Sequence, residues 1–218
     1  MSYDHLIEDS FKSLVLARIV AHLMGDGCVT KRYFAYTNQD SFLLSNFEKD
    51  IISLFGKIHI TKSKTNSNTF IYMIQNREIL NFLNQLFPNY RSHFIEIPKF
   101  VKPSPPLQKE FLKAFFDDEG SVGLRVFRKT GEIKRNLTLS SNSFNFIKQV
   151  KKILKINFGI LSNKILTCKK KIENKQYTNY ILSITGKENF VKFRDKIGFS
   201  SPNKNHKLNS LISSYIRK

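Results

Sequence analysis

Two acidic residues stand directly before glycines at the ends of two apolar segments. Asp26 closes IVAHLMGDG, residues 19–27, and Glu119 closes LKAFFDDEG, residues 112–120. The glycine after each acid predicts a helix that stops there in the left-handed conformation. A carboxylate at a helix C-terminus faces the negative end of the helix dipole, which costs roughly 0.3–1 kcal/mol. Two such acids at matching places in two halves of a chain therefore indicate a paired role.

The chemistry expected of this pair is the binding of divalent cations. Ala17, Ala21 and Gly25 recur every fourth residue on the first helix, and small residues let a second helix approach closely. If the two helices pack side by side, Asp26 and Glu119 lie close together and cannot both stay ionised cheaply. Bound Mg²⁺ removes that penalty, and metals between carboxylates and a phosphodiester can activate water. The alternative is that both acids only terminate helices.

The charge of the chain indicates a polyanionic partner. The 218 residues include 36 Lys and Arg against 17 Asp and Glu, a formal net charge of +19. Such an excess destabilises a compact chain unless a polyanion binds it, so nucleic acid is the first candidate and an anionic membrane the second. A hydrophobic content of 41% excludes wholesale disorder. No apolar run reaches the ~20 residues of a membrane span.

The sequence gives no sign of secretion or of a zinc site. Cys28 and Cys168 fit no metal-binding spacing, and the five histidines are scattered. The first ten residues, MSYDHLIEDS, are acidic and unlike a signal or transit peptide. We therefore expect a cytoplasmic or organelle-encoded protein in a reducing compartment.

Helix and strand patterns follow the same order in both halves. The first half predicts helices at 11–25, 41–55 and 77–87, a hairpin at 28–38, and strands at 57–61 and 69–75. The second half predicts helices at 105–118, 143–158, 187–197 and 208–216, and strands at 121–127, 132–139, 164–169 and 177–185. We therefore predict an α+β protein of two pseudo-symmetric αββαββα repeats, residues 1–100 and 101–218, each with one four-stranded antiparallel sheet.

Strand alternation predicts a polar face on these sheets. In the second half Val122, Leu124 and Val126 alternate with polar residues, so one face packs on helices and the other is open. A two-stranded ribbon fits the DNA major groove, where Arg reads guanine and Asn reads adenine. The expected DNA-facing residues are Cys28, Thr30, Arg32, Ser121, Arg125, Lys134, Asn136 and Thr138. The alternative is an ordinary solvated sheet face.

At these residues the sequence resembles the LAGLIDADG homing endonucleases, in the single-chain form with two motif copies. The second copy, FLKAFFDDEGSV, matches better than the first, and the basic stretch IGFSSPNKNHKL at residues 197–208 also resembles the family. The resemblance implies a saddle of two four-stranded sheets over a long double-stranded DNA target. It also implies a monomer that cuts both strands and leaves short 3′ overhangs. The implied cofactor is Mg²⁺, with Mn²⁺ able to substitute.

The resemblance also implies roles for individual residues. The essential acids fall on Asp26 and Glu119, and the backbone carbonyls of Gly25 and Asp118 complete the metal shell. The other implied residues are Lys204 or Lys207 and Arg91 near the cleaved phosphates, and Asn38 and Ser140 around the nucleophilic water. Asp118 stands where a small residue is usual, and is expected to loosen the packing or to point to solvent.

Two other functions stay open. One is a splicing maturase of the same fold that binds intron RNA, either instead of cutting DNA or in addition to it. The other is a DNA-binding regulator that has lost catalysis, although the presence of both acids argues against it.

Overall fold

The computed structural model describes residues 3, 5–87, 89–127, 129, 131–172 and 175–215. The chain divides into two compact units, Met1–Asp118 and Glu119–Lys218. Each unit contains one four-stranded antiparallel sheet with flanking helices, so the predicted α+β class and the αββαββα order are confirmed. In the part of the chain that is described, no helix has both the length and the hydropathy of a membrane span.

Three of the five helices described in the first unit begin at a polar side chain that caps them. The five helices are α1 (His5–Glu8), α2 (Ser10–Met24), α3 (Ser41–Phe55), α4 (Arg77–Leu86) and α5 (Pro105–Glu119), of which α1 is not predicted. The carboxylate of Asp9 accepts hydrogen bonds from the first backbone N–H groups of α2, Asp40 does the same for α3, and Asn76 for α4. These side chains satisfy N–H groups that have no partner within the helix.

The sheet of the first unit contains β1 (Gly27–Val29), β2 (Phe34–Asn38), β3 (Thr61–Lys64) and β4 (Phe70–Ile74), in the order β1-β2-β4-β3. The predicted strand at 57–61 is wrong, because β3 lies one segment later in a wholly polar sequence. All four residues of β3 are exposed. An edge strand is held by backbone hydrogen bonds to one neighbour, so its side chains need no apolar pattern. Lys62 also binds Glu48 at 2.7 Å.

Helix α5 joins the first unit through charged as well as apolar contacts. Arg18 on α2 forms two hydrogen bonds with the carboxylate of Asp50 on α3, of 2.7 and 2.8 Å, and a third of 3.1 Å with Glu110 on α5. The sequence repeat places α5 at the start of the second half, whereas its residues up to Asp118 lie in the first compact unit.

The second unit repeats the arrangement with longer strands. Its elements are β5 (Gly120–Val126), β6 (Ile133–Ser141), α6 (Phe144–Phe158), β7 (Leu166–Ile172), β8 (Lys175–Ile184), α7 (Lys187–Lys196) and α8 (Pro202–Ser213), with strand order β5-β6-β8-β7. Helix α8 begins earlier than predicted, because Pro202 occupies a first-turn position that suits proline. Ile216, the predicted end of that helix, lies outside the described residues.

The glycines of the two motifs do not stop their helices in the way predicted. Neither Gly27 nor Gly120, both among the described residues, has a positive φ, and each begins a strand instead. A Cβ atom on Gly27 would lie 2.6 Å from Cα of Leu23 and 2.9 Å from the carbonyl oxygen of Ala35. Gly27 is therefore required by the close approach of β1 and β2 to α2, not by a left-handed turn.

Candidate active site

Asp26 lies at the junction of helix α2 and strand β1. The helix ends at Met24, the strand begins at Gly27, and Asp26 between them is exposed. Its backbone carbonyl accepts a hydrogen bond of 3.2 Å from the N–H of Thr37 on β2. Two regular elements therefore fix the backbone of Asp26 at the surface of the unit.

The side chain of Asn38, at the end of β2, holds the carboxylate of Asp26. The Nδ2 group of Asn38 donates to Oδ2 of Asp26 at 3.0 Å and to the hydroxyl oxygen of Tyr36 at 3.0 Å. Its Oδ1 atom accepts a hydrogen bond of 2.9 Å from the N–H of Asp40. The structure thus brings together two of the residues that the sequence assigned to the site, Asp26 and Asn38.

Asp118 is buried, which corrects the expectation that it loosens the packing or points to solvent. Its side chain has no exposed surface and accepts a hydrogen bond of 2.6 Å from the hydroxyl group of Tyr36. Its other oxygen lies 2.9 Å from Nδ1 of His22. A buried carboxylate is tolerated where it is hydrogen-bonded and faces a cation, and both conditions hold here.

Gly25 explains how α2 and α5 accommodate the Asp118 side chain. A Cβ atom at Gly25 would lie 2.8 Å from Cβ and from Oδ2 of Asp118, closer than real Cβ contacts allow. Ala17 and Ala21, on the same face, are completely buried. At the Gly25 end of this ridge of small residues, α2 and α5 therefore approach closely, with the missing side chain of Gly25 making room for that of Asp118.

The charges around His22 favour its protonated form. Burial by itself lowers the pKa of His22, but the Asp118 carboxylate, with smaller contributions from Asp117 and Asp50, raises that pKa above its ordinary value. The pKa of the Tyr36 hydroxyl is raised too, by burial and by the neighbouring Asp118 charge. Tyr36 therefore keeps its proton and remains a donor to Asp118.

In the second unit Glu119 is the last residue of α5 and is half-buried. The carbonyl oxygen of Gly120, the next residue, accepts a hydrogen bond of 2.7 Å from the Nζ group of Lys204 on α8. Lys207, the alternative basic residue, is exposed further along the same helix. Of the two predicted lysines, the structure therefore places Lys204 beside the backbone of the motif.

Two other predicted site residues have less distinctive surroundings. Ser140 is half-buried in β6 and pairs with Ile181 of β8. Arg91 is exposed in the loop after α4, where its backbone N–H donates to Oδ1 of Asn89 at 3.0 Å. Neither contact by itself indicates a catalytic role.

The predicted polar face of the second sheet is confirmed as a surface. The register pairs Ser121 with Thr138, Gly123 with Asn136, and Arg125 with Lys134, so these side chains share one face. Ser121, Arg125 and Lys134 are exposed, and the guanidinium carbon of Arg125 lies 5.0 Å from the centre of the Phe127 ring.

The predicted shared face of the first hairpin is wrong for two of its three residues. Cys28 is an exposed residue of β1, but that strand ends at Val29. Thr30 and Arg32 lie in the turn that follows, where the Thr30 hydroxyl donates to the carbonyl oxygen of Tyr33 at 2.8 Å. The Thr30 oxygen also accepts from the N–H of Arg32 at 3.2 Å. The predicted hairpin at 28–38 is confirmed, and a turn closed by the Thr30 hydroxyl connects its two strands.

The donor chemistry around Asp26 suits a hard divalent cation. Asp26 offers a carboxylate whose orientation is fixed by Asn38, and oxygen ligands of this kind suit Mg²⁺ or Mn²⁺. Over the described residues, no three His, Cys, Asp or Glu side chains cluster closely enough to form a metal site of their own. A cation here would therefore need further oxygen ligands, and Mg²⁺ commonly takes these from water and phosphate.

Sequence reasoning missed Tyr36 and His22. A usable signal was present for Tyr36, which stands two residues before Asn38 and therefore on the same face of the strand. For His22 the signal was weaker. It stands one helical turn before Asp26, on a helix that is otherwise apolar there.

The C-terminal half matches a known domain. Residues 106–198 match the LAGLIDADG-like domain family. Segments of two Methanocaldococcus jannaschii proteins are also similar. A probable translation initiation factor IF-2 is 32% identical over 194 residues, covering 87% of this chain and 15% of that protein. A replication factor C small subunit is 27% identical over 210 residues, covering 95% of this chain and 11% of that protein. The chain thus spans a small part of either relative.

Solved structures share the fold over nearly the whole chain. Variants of the homing endonuclease I-DmoI match with a TM-score of 0.64 at 16% identity, covering 91% of this chain and 98% of theirs. I-DmoI in complex with DNA and Mn matches with a TM-score of 0.60 at 16% identity, covering 85% of this chain and 97% of the I-DmoI chain. Full-length DUF199/WhiA from Thermatoga maritima matches with a TM-score of 0.60 at 15% identity, covering 98% of this chain and 65% of the DUF199/WhiA chain. At such identities the likeness establishes the fold.

Proposed function

This chain has the fold of the LAGLIDADG homing endonucleases, with a LAGLIDADG-like domain at residues 106–198, and from that premise we propose that it is a site-specific DNA endonuclease. The observation that carries the proposal is the exposed carboxylate of Asp26, which regular structure and the Asn38 amide hold in one orientation. We further propose that it makes a metal-dependent double-strand break with short 3′ overhangs, acting as a monomer.

The residues of the site have distinct parts in this reaction. Asp26 in the first unit and Glu119 in the second would each bind a divalent cation, Mg²⁺ or Mn²⁺. A divalent cation held by these acids would supply an activated water and would stabilise the leaving oxygen. Asn38 holds the carboxylate of Asp26. The ammonium group of Lys204, beside Gly120, supports the negative charge that develops on a phosphate.

The proposed substrate is double-stranded DNA. Exposed Arg125 and Lys134 stand opposite each other on β5 and β6, on a face that also carries Asn136 and Thr138. A formal net charge of +19 supports binding to many phosphates. I-DmoI, which shares the fold, has been crystallised with DNA and Mn. Binding to phosphates positions the protein, and contacts to base edges specify the sequence.

The test is cleavage of duplexes selected from a randomised library, because the target sequence is unknown. We expect wild type to linearise a plasmid carrying the selected target in Mg²⁺ or Mn²⁺, and to stop in EDTA. Asp26→Asn and Glu119→Gln should abolish cleavage while DNA affinity changes little, since both variants remove the negative charge but keep the shape of the side chain and one acceptor oxygen. Asp195→Asn, at an exposed acid paired with Arg194, is the matched control.

Two outcomes would redirect the proposal. If both site variants cut like wild type, the acids are not the catalytic residues. If wild type binds duplex DNA tightly but leaves it intact in every metal, the protein is a DNA-binding module that uses the same fold. Binding of an excised intron RNA with higher affinity than duplex DNA would support the maturase function instead.

A further inference from the structure

A continuous set of hydrogen bonds connects the interior of the first unit with Asp26. The Tyr36 hydroxyl donates to Oδ1 of Asp118 at 2.6 Å, and Nδ2 of Asn38 donates to both Tyr36 and Asp26 at 3.0 Å. The side chains at its inner end have no exposed surface, whereas Asp26 at its outer end is exposed. We call these four residues, Asp118, Tyr36, Asn38 and Asp26, the Asp118–Asp26 network.

The direction of each hydrogen bond in the network is determined. Because the single hydrogen of the Tyr36 hydroxyl goes to the Asp118 carboxylate, the hydroxyl oxygen is left as the acceptor for Asn38. The Asn38 oxygen accepts from the N–H of Asp40, so its amide nitrogen must face Tyr36 and Asp26. The two hydrogens of that nitrogen supply both remaining bonds. The buried Asp118 carboxylate, acting through the Tyr36 hydroxyl, and the N–H of Asp40 therefore together set the orientation of the Asn38 amide.

We propose that Tyr36 and Asp118 are positioning residues, which fix the Asp26 carboxylate through Asn38 in the orientation that binds the divalent cation. This inference rests on the proposed function of Asp26 as a metal ligand. Groups that orient a metal ligand typically change metal affinity or activity by about 10–100-fold when they are removed. A site on rigid elements also needs such support, because small misorientations of a ligand weaken binding.

The second half lacks the residues that would build the same network. The strand that corresponds to β2 is β6. There Leu139, opposite Gly120, stands at the position of Tyr36, opposite Gly27, and Ser141 stands at that of Asn38. Leu139 has no hydroxyl group, and the Ser141 hydroxyl oxygen accepts a hydrogen bond of 3.2 Å from the N–H of Ser143. The network is therefore a property of the unit that carries Asp26, and its residues are not interchangeable with those of the other unit.

The experiment compares Tyr36→Phe with Tyr90→Phe. Tyr90 is a matched control, because its hydroxyl also donates one hydrogen bond, 3.0 Å to the carbonyl oxygen of Leu83. Two quantities are measured in full-length protein. The first is the ¹⁵N resonance of the Asn38 side-chain amide, in EDTA and without DNA. The second is the Mg²⁺ concentration that gives half-maximal single-turnover cleavage of the selected duplex.

We expect Tyr36→Phe to shift the Asn38 amide resonance and to raise the half-maximal Mg²⁺ concentration about tenfold, with DNA affinity unchanged. Tyr90→Phe should change neither quantity. Asp118→Asn keeps an acceptor for the Tyr36 hydroxyl, whereas Asp118→Leu removes it. The Asn38 resonance and the half-maximal Mg²⁺ concentration of Asp118→Asn should therefore lie closer to the wild-type values.

The inference is overturned if the Asn38 resonance and the Mg²⁺ dependence of Tyr36→Phe both match wild type. It is also overturned if Tyr36→Phe loses DNA affinity and thermal stability in parallel with cleavage, since Tyr36 would then be merely structural. The amide resonance is measured without metal or DNA. If the wild-type protein cuts no DNA, the proposed function is wrong. The amide resonance still shows whether Tyr36 positions Asn38.

Discussion

The Tyr36 hydroxyl donates a hydrogen bond of 2.6 Å to a carboxylate oxygen of Asp118, and the two residues are 82 positions apart in sequence. Asp118 belongs to the second motif copy, whereas Tyr36 lies on the strand next to the first. The contact lies within the first compact unit, which includes α5 up to Asp118. Because the Asp118 side chain is fully buried, loss of either partner would leave a polar group without its hydrogen bond in the interior.

The first prediction concerns the contact between Gly25 and Asp118. Gly25→Ala should lower the free energy of unfolding by about 1–3 kcal/mol, because the added Cβ atom meets the Asp118 side chain at 2.8 Å. Asp118→Ala should also destabilise, by about 1–3 kcal/mol, because Tyr36 and His22 lose their partner. Since the second substitution removes the clash of the first, the double variant should lose at least about 1 kcal/mol less than the sum. Urea denaturation measures all three, and strict additivity would show that the two side chains do not compete for space.

The second prediction is a pH dependence that arises from His22. The pKa of His22 is raised in the folded protein, so its contribution to stability is fully present below the unfolded value of about 6.5. That contribution is lost as pH rises through the folded pKa. The difference in free energy of unfolding between wild type and His22→Gln should therefore be larger at about pH 6 than at about pH 9.

The measurement for His22 is urea denaturation of both proteins in EDTA across this range. Glutamine keeps a side-chain donor near Asp118 but does not titrate. The contributions of the other ionisable groups to the pH dependence of stability are shared by both proteins and cancel in the difference. A difference that grows toward high pH would mean that His22 is neutral in the folded protein.

The order of elements could be predicted because local signals decide it. Helix α3 coincides with its predicted range, since Asp40 caps it and Gly56, with a φ of 75°, ends it. Strand β3 could not be placed, because Thr61–Lys64 is polar and exposed and owes its extended form to pairing with β4. The hairpin at 28–38 was predicted, but the position of its turn was not. The composition around Thr30 favours a strand, but the hydrogen bond from the Thr30 hydroxyl to the carbonyl oxygen of Tyr33 stabilises a turn instead.

The candidate site was only partly predictable. Asp26 and Asn38 could be proposed, because each stands at the end of a recognisable element. Their support could not, because Asp118 reaches Tyr36 and His22 across 82 and 96 residues of sequence. A charged residue such as Asp118 at a close helix contact indicates that it has hydrogen-bonding partners. Which residues these are depends on tertiary packing and cannot be derived from the sequence.

The third prediction concerns the polar face of the second sheet. Replacing Arg125 with Met should reduce the dependence of DNA affinity on salt by about one counterion, because an exposed cation that contacts a phosphate releases one on binding. If Arg125 reads a base instead, the variant should also relax the sequence preference at one position, at about 1–3 kcal/mol. Fluorescence anisotropy over a range of salt concentrations separates the two. Met at Lys155, an exposed cation on α6, is the control. If the logarithm of DNA affinity falls with the logarithm of salt concentration at the same slope in wild type and in both variants, this face is not part of the DNA interface.

The last prediction separates the two lysines of α8. Lys204 donates to the carbonyl oxygen of Gly120 at 2.7 Å, one residue from Glu119, whereas Lys207 is exposed. Lys204→Met should slow single-turnover cleavage by about 10²–10³-fold with little loss of DNA affinity, because a positioned cation stabilises the reacting phosphate more than the bound substrate.

Lys207→Met is the matched comparison, since it removes the same charge from the same helix and keeps a long apolar side chain. Its expected effect is confined to DNA affinity and its salt dependence, as for an exposed contact to the phosphate backbone. The two variants are compared in cleavage at saturating protein and in binding in EDTA. A cleavage defect in Lys207→Met as large as that in Lys204→Met would mean that the hydrogen bond to Gly120 has no part in selecting the catalytic lysine.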